Sequence, residues 1–336
     1  MEKPLDKILE VRDLEVDLMS PDGLVRAVRG ASIYINCGEI HGIVGESGCG
    51  KSVMMKSVMR LHNDKNTVYG GQILFGGSDI LKLKDKEMKG VRGKEISMIF
   101  QNPMTSLSPI MKIGDQISES IVAKQKINKE EATKKACEIL ELVGITPANE
   151  RYNMYPFELS GGLLQRVMIA IAMVNEPDLL IADEPTTALD VTIQAQILNL
   201  MKKMQKDTGV SIVFITHDLG VVAEMCDRVS VMYAGKIVET GTVFDIFNNP
   251  GHPYTKALVE SMPKGVSEEN RLKTIYGTPP SLHSNIVGCS FAPRCKYSCD
   301  KCLSESPLNV KLTEEHFAAC LYSSELYEKG EIVHEE

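Results

Sequence analysis

The run Gly45-Glu46-Ser47-Gly48-Cys49-Gly50-Lys51-Ser52 constrains the fold more than any other stretch of the chain. It follows Glu39 to Val44, a short apolar segment that reads as a buried strand, and a helix is expected to start near Lys51 and to include Val53. Glycines let the backbone curl until successive N–H groups, together with the N-terminus of the following helix, converge on one small anion. An ammonium at Lys51 and a hydroxyl at Ser52 suit the β- and γ-phosphates of a nucleoside triphosphate and its Mg²⁺. An ordinary glycine turn would ask for neither side chain. Strand, glycine loop and helix in this order belong to an α/β layered fold.

The rest of the chain supports that class. Ile8 to Leu18 and Val25 to Ile35 read as strands about the turn Pro21-Asp22-Gly23. Asn128 with Glu131 forms a helix-start signal, its helix running to Val143 and stopping at Gly144, and 116–151 reads as helical. Leu163 to Val174 reads as helix, Leu179 to Asp183 as a buried strand, and Ile193, Ile197, Leu200, Met201 and Met204 mark a helix closed by Gly209. Val210 to Thr216 is the next strand. Alternation of this kind predicts a mainly parallel sheet. Beyond about Thr240 the periodicity gives way to Asn248-Asn249-Pro250-Gly251, Met262-Pro263, Thr278-Pro279-Pro280 and a cysteine-rich stretch. At 336 residues the chain exceeds one efficient core, so a large domain over 1–262, with helices over about 104–170, and an extension over 263–336 are expected.

A net charge of -8 argues against a general binder of nucleic-acid backbones. The longest apolar run, Val167 to Val174, falls far short of the roughly 20 residues a bilayer span needs, and Met1 to Glu10 lacks the features of a secretory signal. A cytoplasmic location is therefore expected. In that reducing compartment clustered cysteines point to metal rather than to disulfides.

Three further segments carry chemistry. Asp183 and Glu184 end an apolar strand, where carboxylates need partners; Asp183 suits a Mg²⁺ contact and Glu184 polarisation of an attacking water. Leu159-Ser160-Gly161-Gly162-Leu163-Leu164-Gln165-Arg166 offers a hydroxyl and free N–H groups ahead of a helix, a second anion nest. His217 follows a strand, where a lone histidine is usually structural.

Taken together, the segment from Leu159 resembles the signature sequence of ABC ATPases, and the accompanying motifs stand in that family's order: Phe100-Gln101-Asn102-Pro103 looks like the Q-loop, Thr187-Ala188-Leu189-Asp190 the D-loop, and Thr216-His217-Asp218 the switch segment. The resemblance covers roughly residues 8 to 262. It implies a P-loop ATPase core with an N-terminal antiparallel β subdomain and a helical subdomain. ATP and Mg²⁺ would be held by Gly45 to Val53, with Ser52, Gln101 and Asp183 at the metal. Glu184 and His217 would be catalytic. Ser160, Gly161 and Gly162 would face the nucleotide of a second subunit, identical or homologous, so that ATP closes a head-to-tail pair. Two departures are visible: 20–28 lacks the aromatic residue that commonly stacks on adenine, leaving Val25 or a neighbour, and Leu163-Leu164 is unusually apolar.

Gly251-His252-Pro253-Tyr254-Thr255-Lys256-Ala257-Leu258, with Ser261-Met262-Pro263, is similar to a segment of the ATPase subunits of oligopeptide and dipeptide importers. That resemblance implies two transmembrane permease subunits, an extracytoplasmic peptide-binding protein, attachment to the inner face of the cell membrane, and peptide as the solute. Nickel or another solute, or a soluble non-transport ABC ATPase, are the alternatives. It also implies a [4Fe–4S] cluster on Cys289, Cys295, Cys302 and Cys320, with Cys299 unassigned. The Cys299–Cys302 spacing equally suits zinc, and unligated thiols remain open. Cys37, Cys49, Cys137 and Cys226 look unrelated to that centre, and Cys49 is expected to be oxidation-sensitive.

Overall fold

The computed structural model describes residues 7–21, 23–187, 189–262, 274–283 and 285–332. Asp22 of the expected turn, Ala188, Pro263 and the start of the expected extension lie outside the described residues. The chain divides into two compact units. One comprises Asn36–Glu39 and Lys82–Ile215 with the chain up to Ile8; the other comprises Leu9–Ile35, Ile40–Leu81 and Thr216–Glu336.

In the second of these, Lys7–Ser20, Gly23–Asn36, Thr67–Phe75 and Ser78–Asp79 form an antiparallel sheet in which Leu9 faces Phe75 and Val16 faces Tyr69. A bulge between Arg12 and Glu15 shifts the side-chain alternation by one residue. This is why Leu9 and Val11 before it, and Leu14 and Val16 after it, all reach the core. The same unit holds Ile40–Val44, parallel to Arg228–Tyr233, which turns back antiparallel into Lys236–Thr242. Phe317–Ala318 then pairs with Lys236–Thr242.

The unit containing Lys82–Ile215 is built on three parallel strands, Ile96–Ile99, Leu179–Asp183 and Ser211–Ile215, buried along their whole length. Such strands must be covered on both faces, which accounts for their unbroken apolar sequences. Helices Ile113–Gln125, Lys129–Leu142, Gly161–Met173 and Val191–Thr208 belong to this unit. Asn128 caps the second by accepting from Glu131 N at 2.9 Å, and Gly209 closes the fourth in the left-handed conformation. No described helix is long and apolar enough to cross a membrane.

Beyond Thr240 the structure is more regular than its composition suggests. Thr242 caps Val243–Asn248 through a reciprocal bond with Asp245, and His252 caps Pro253–Glu260. The extension is packed against the strands: Phe291 lies 5.3 Å, ring centre to ring centre, from both Tyr233 and Tyr254. A second attachment is the fully buried Glu239 carboxylate, which accepts from Gly251 N at 2.6 Å and His252 N at 2.9 Å and pairs with His316 Nε2 at 2.7 Å.

Candidate functional site

The phosphate-type loop follows the buried strand Ile40–Val44 and leads into the helix Lys51–Val58. Gly50 takes φ 108°, and a Cβ there would stand 2.4 Å from the carbonyl oxygen of Ala27, so no other residue fits. Lys51 is buried, and its ammonium donates to Gly45 O at 2.7 Å and Glu46 O at 3.0 Å. The loop thus carries its cation inside its own curve. Cys49 is also buried, and burial pushes its thiol upward despite nearby Lys51. A neutral, enclosed thiol is a poor nucleophile, so the expected oxidation sensitivity of Cys49 finds no support in its surroundings.

Gln101, Ser160–Gly162, Asp183 and Glu184 belong to the other unit. Asp183 is buried at the end of its strand. Glu184 follows at φ 49°, and its N–H donates to Ile215 O at 3.0 Å. Its Oε2 accepts from Gln101 Nε2 and from Thr187 Oγ1, each at 2.9 Å. Two elements far apart in sequence therefore aim one carboxylate. Ser160 is the exposed residue at the start of Gly161–Met173, and its side chain makes no capping bond. Leu164 is buried while Leu163 is half-buried, so the apolar pair is partly accounted for by packing. His217 is exposed, and Asp218 after it caps the helix Leu219–Met225 by accepting from Gly220 N at 2.8 Å.

Val25 is half-buried. Next to it, Arg26 N donates to Leu282 O at 3.0 Å and Arg26 Nη1 to Asn285 Oδ1 at 3.1 Å. The extension thus runs beside the segment that lacks an adenine-stacking aromatic.

Cys289, Cys295, Cys302 and Cys320 line one cavity of about 20 Å³, together with His252 and Tyr322. Gly288 stands at φ 71° with a hypothetical Cβ 2.5 Å from the carbonyl oxygens of Cys302 and Leu303, which brings the backbone at Cys289 against that of Cys302. Backbone N–H groups point at the sulfurs: Tyr297 N lies 3.4 Å from Cys295 Sγ, and Tyr322 N 3.4 Å from Cys320 Sγ. Burial raises Cys295 to about 11 and Cys320 to about 12. Cys299 stands apart chemically; the Tyr322 hydroxyl, 3.2 Å from its sulfur, lowers it to about 7. Its sulfur is 3.7 Å from that of Cys302. Among the described residues no group of three or more His, Cys, Asp or Glu is drawn together as a metal-holding set.

His252 is the polar side chain that sequence reasoning missed here. Its Nδ1 accepts from Tyr254 N at 3.0 Å, so the neutral ring carries its proton on Nε2. Burial holds the ring neutral by lowering its pKa to about 3. That buried Nε2 has no hydrogen-bond partner among the described residues.

Comparison with known proteins agrees with this layout. Residues 28–187 match the ABC transporter family, and 238–302 match the oligopeptide/dipeptide transporter C-terminal region. The oligopeptide transport ATP-binding protein OppD of Bacillus subtilis is 52% identical over 93% of this chain and 87% of its own length. The probable peptide ABC transporter ATP-binding protein y4tR of Sinorhizobium fredii is 48% identical over 96% of each chain. Among solved structures, the dimeric ATP-binding cassette MJ0796 bound to ADP and Pi superposes with a TM-score of 0.63 at 26% identity, covering 70% of this chain and 98% of that one. CbiO1 of Clostridium perfringens gives a TM-score of 0.61 at 30% identity, covering 72% and 91%. With the glycine loop, the carboxylate strand and the cysteine-bearing extension all in place, the chain belongs to the ABC transporter family of ATP-binding proteins, in the group that carries the oligopeptide/dipeptide transporter C-terminal region.

Proposed function

We propose that the chain is the ATP-hydrolysing subunit that energises import of peptides through an ABC transporter. The observation that carries this is identity near one half, along almost the whole length, with ATP-binding proteins of oligopeptide and peptide transport. The extension is part of that match.

In this reading Gly45 to Val53 hold the triphosphate, and Lys51 turns from the loop carbonyls to the β- and γ-phosphates. Ser52, Gln101 and Asp183 hold Mg²⁺, which supplies charge neutralisation at the transferring phosphoryl group. Glu184 takes the proton of the attacking water, and Gln101 and Thr187 fix the orientation of its carboxylate. His217 contacts the γ-phosphate. Ser160, Gly161 and Gly162 supply N–H and hydroxyl donors to the nucleotide on a second ATPase subunit; the uncapped, exposed Ser160 hydroxyl supports this. ATP closes the pair and hydrolysis reopens it. Coupling to two permease subunits runs through the helices of 113–152 and through Gln101, which places the chain on the cytoplasmic face of the membrane.

For the four thiols of the extension the reading is an iron–sulfur cluster, four cysteine sulfurs being its usual ligands, with zinc as the alternative. Zinc at 2.3 Å from four sulfurs requires neighbours about 3.8 Å apart. Cys299 and Cys302, of which Cys302 belongs to the four, stand about that far apart, at 3.7 Å. Four thiols lining one cavity, with backbone N–H groups at two sulfurs and an Nε2–H without a partner on His252, support the cluster reading, and since the cavity of about 20 Å³ holds little more than a water, the thiols would have to draw apart to admit a cluster. Such a group supplies electron storage or a structural crosslink. The chain's own part would be to supply Cys289, Cys295, Cys302 and Cys320, whose thiols, raised by burial, would give up their protons on binding it.

The test is uptake in a strain lacking this gene. Wild-type chain is expected to restore peptide uptake and Glu184→Gln to leave it absent. Restored nickel uptake without peptide uptake would replace the solute assigned here.

A further inference from the structure

Arg294, one residue before Cys295, reaches the phosphate loop. Its Nη1 lies 2.7 Å from Glu46 Oε2 and its Nη2 3.0 Å from Glu46 Oε1, a two-pronged ion pair whose arginine side chain is only 5% exposed. The guanidinium also donates to Tyr233 Oη at 3.2 Å and Tyr276 O at 2.9 Å. Glu46 is held at three points: its carboxylate by Arg294, its N–H by Tyr254 Oη at 2.9 Å, and its carbonyl by Lys51 Nζ at 3.0 Å. Arg294 lies in the turn Ala292–Arg294, between Phe291, packed on Tyr233 and Tyr254, and the thiol Cys295.

Two consequences follow from the charges. A carboxylate within a loop whose purpose is to gather anions opposes a triphosphate, and the guanidinium cancels it. A forked, nearly enclosed pair also tolerates little displacement, because its strength depends on both hydrogen bonds being made. A shift of Cys295 is transmitted to Arg294 through one peptide bond and to Glu46 through that fork. The loop residue displaced is the one whose carbonyl seats Lys51.

We propose that Arg294 is a positioning residue for the nucleotide: through Glu46 it makes the affinity of the phosphate loop depend on whether the cysteine centre of the extension is intact. The inference rests on the reading of the four cysteines as one centre. By linkage, bound nucleotide also stabilises the centre, by the same factor.

The experiment is a double-mutant cycle on the full chain, purified anaerobically, with equilibrium binding of a fluorescent ATP analogue as readout. Cys320→Ser is expected to weaken binding roughly ten-fold in the presence of Arg294, the usual size of such couplings. It is expected to leave binding unchanged in an Arg294→Ala background, which is itself weakened. Arg294→Lys, restoring charge without the fork, should recover part of the affinity and none of the response to Cys320→Ser. Equal weakening by Cys320→Ser in both backgrounds, or none in either, overturns the proposal. Should Cys320→Ser fail to fold, as judged by thermal unfolding, the comparison is made between chain as isolated and chain stripped by a chelator, with the same criterion. Iron and acid-labile sulfide in the wild-type chain report separately on the cluster: their absence removes the iron–sulfur reading while the Cys320→Ser cycle still decides the coupling.

Discussion

Gln101 Nε2 donates to Glu184 Oε2 at 2.9 Å, joining a loop after one parallel strand to the carboxylate at the end of the next. Thr187 donates to the same oxygen from three residues on. The carboxylate is thus aimed before any nucleotide arrives, which is what a general base requires. Glu184→Gln is expected to lower ATP turnover by about 10² to 10⁴, the usual share of such a base, while ATP binding persists. Phosphate release and equilibrium nucleotide binding measure the two separately; unchanged turnover would remove Glu184 from its role.

Gln101→Ala removes one donor to Glu184 and leaves Thr187 in place. Turnover is expected to fall less than in Glu184→Gln, with nucleotide affinity in the presence of Mg²⁺ falling as well if Gln101 also contacts the metal. Titrating Mg²⁺ against turnover distinguishes the two contributions, since an orienting role alone shifts the maximum rate and not the Mg²⁺ midpoint.

Ser160 and Lys51 should complement each other across subunits. Lys51→Ala loses the loop that holds its own nucleotide, and Ser160→Arg blocks the cradle offered to the partner. Mixed in equal amounts, two inactive variants that pair at random would recover roughly a quarter of wild-type turnover, because half the pairs are mixed and each has one whole site. Recovery measured in a phosphate-release assay establishes a pair of identical chains; its absence assigns the second cradle to a different ATPase subunit.

His252→Asn retains a side chain able to cap Pro253–Glu260 and removes the Nε2–H from the wall of the thiol cavity. Stability is expected to change by no more than about 1 kcal/mol. Under the proposed iron–sulfur reading, a hydrogen bond from Nε2 to a cluster sulfur would favour the reduced, more negative state, so loss of the donor would lower the reduction potential of the centre. Redox titration followed by electron paramagnetic resonance would show the shift, and an unchanged potential would make His252 a cap alone.

Gly288→Ala forces a Cβ to within 2.5 Å of two carbonyl oxygens at a backbone angle of +71°. Strain of this kind costs about 1–3 kcal/mol. The thermal midpoint should fall, and under the proposed cluster reading the iron content with it, since the same approach brings the backbone of Cys289 to Cys302, whose carbonyl accepts from Cys289 N at 2.8 Å.

Much of the nucleotide machinery was legible because each piece is local. Gly45 to Ser52 encode a loop and helix start within eight residues, Leu179–Asp183 matches its expected bounds, and the helix closed by Gly209 runs from Val191 to Thr208 as its apolar spacing required. The hairpin of Arg228–Tyr233 and Lys236–Thr242 was not foreseen: both strands are largely buried, and short apolar strands carry no periodicity to set them apart. Nor was the link between Arg294 and Glu46, whose residues stand 248 positions apart. An arginine next to a cysteine announces no distant partner. Cys289, Cys295, Cys302 and Cys320 line one cavity, while the cluster that family resemblance implies on them stays a proposal; His252 was passed over because its cap bond, which decides its tautomer, exists only in three dimensions.

The pairing of Glu239 with Gly251, His252 and His316 bears on how this ATPase can be handled. A chain trimmed to the length of the shorter solved cassettes would lose His316 and leave an enclosed carboxylate short of a hydrogen-bond partner, a defect of about 1–3 kcal/mol. The C-terminal segment is thus no detachable accessory. Truncation that removes His316 therefore also requires replacing Glu239, whose carboxylate is enclosed by Gly251, His252 and His316.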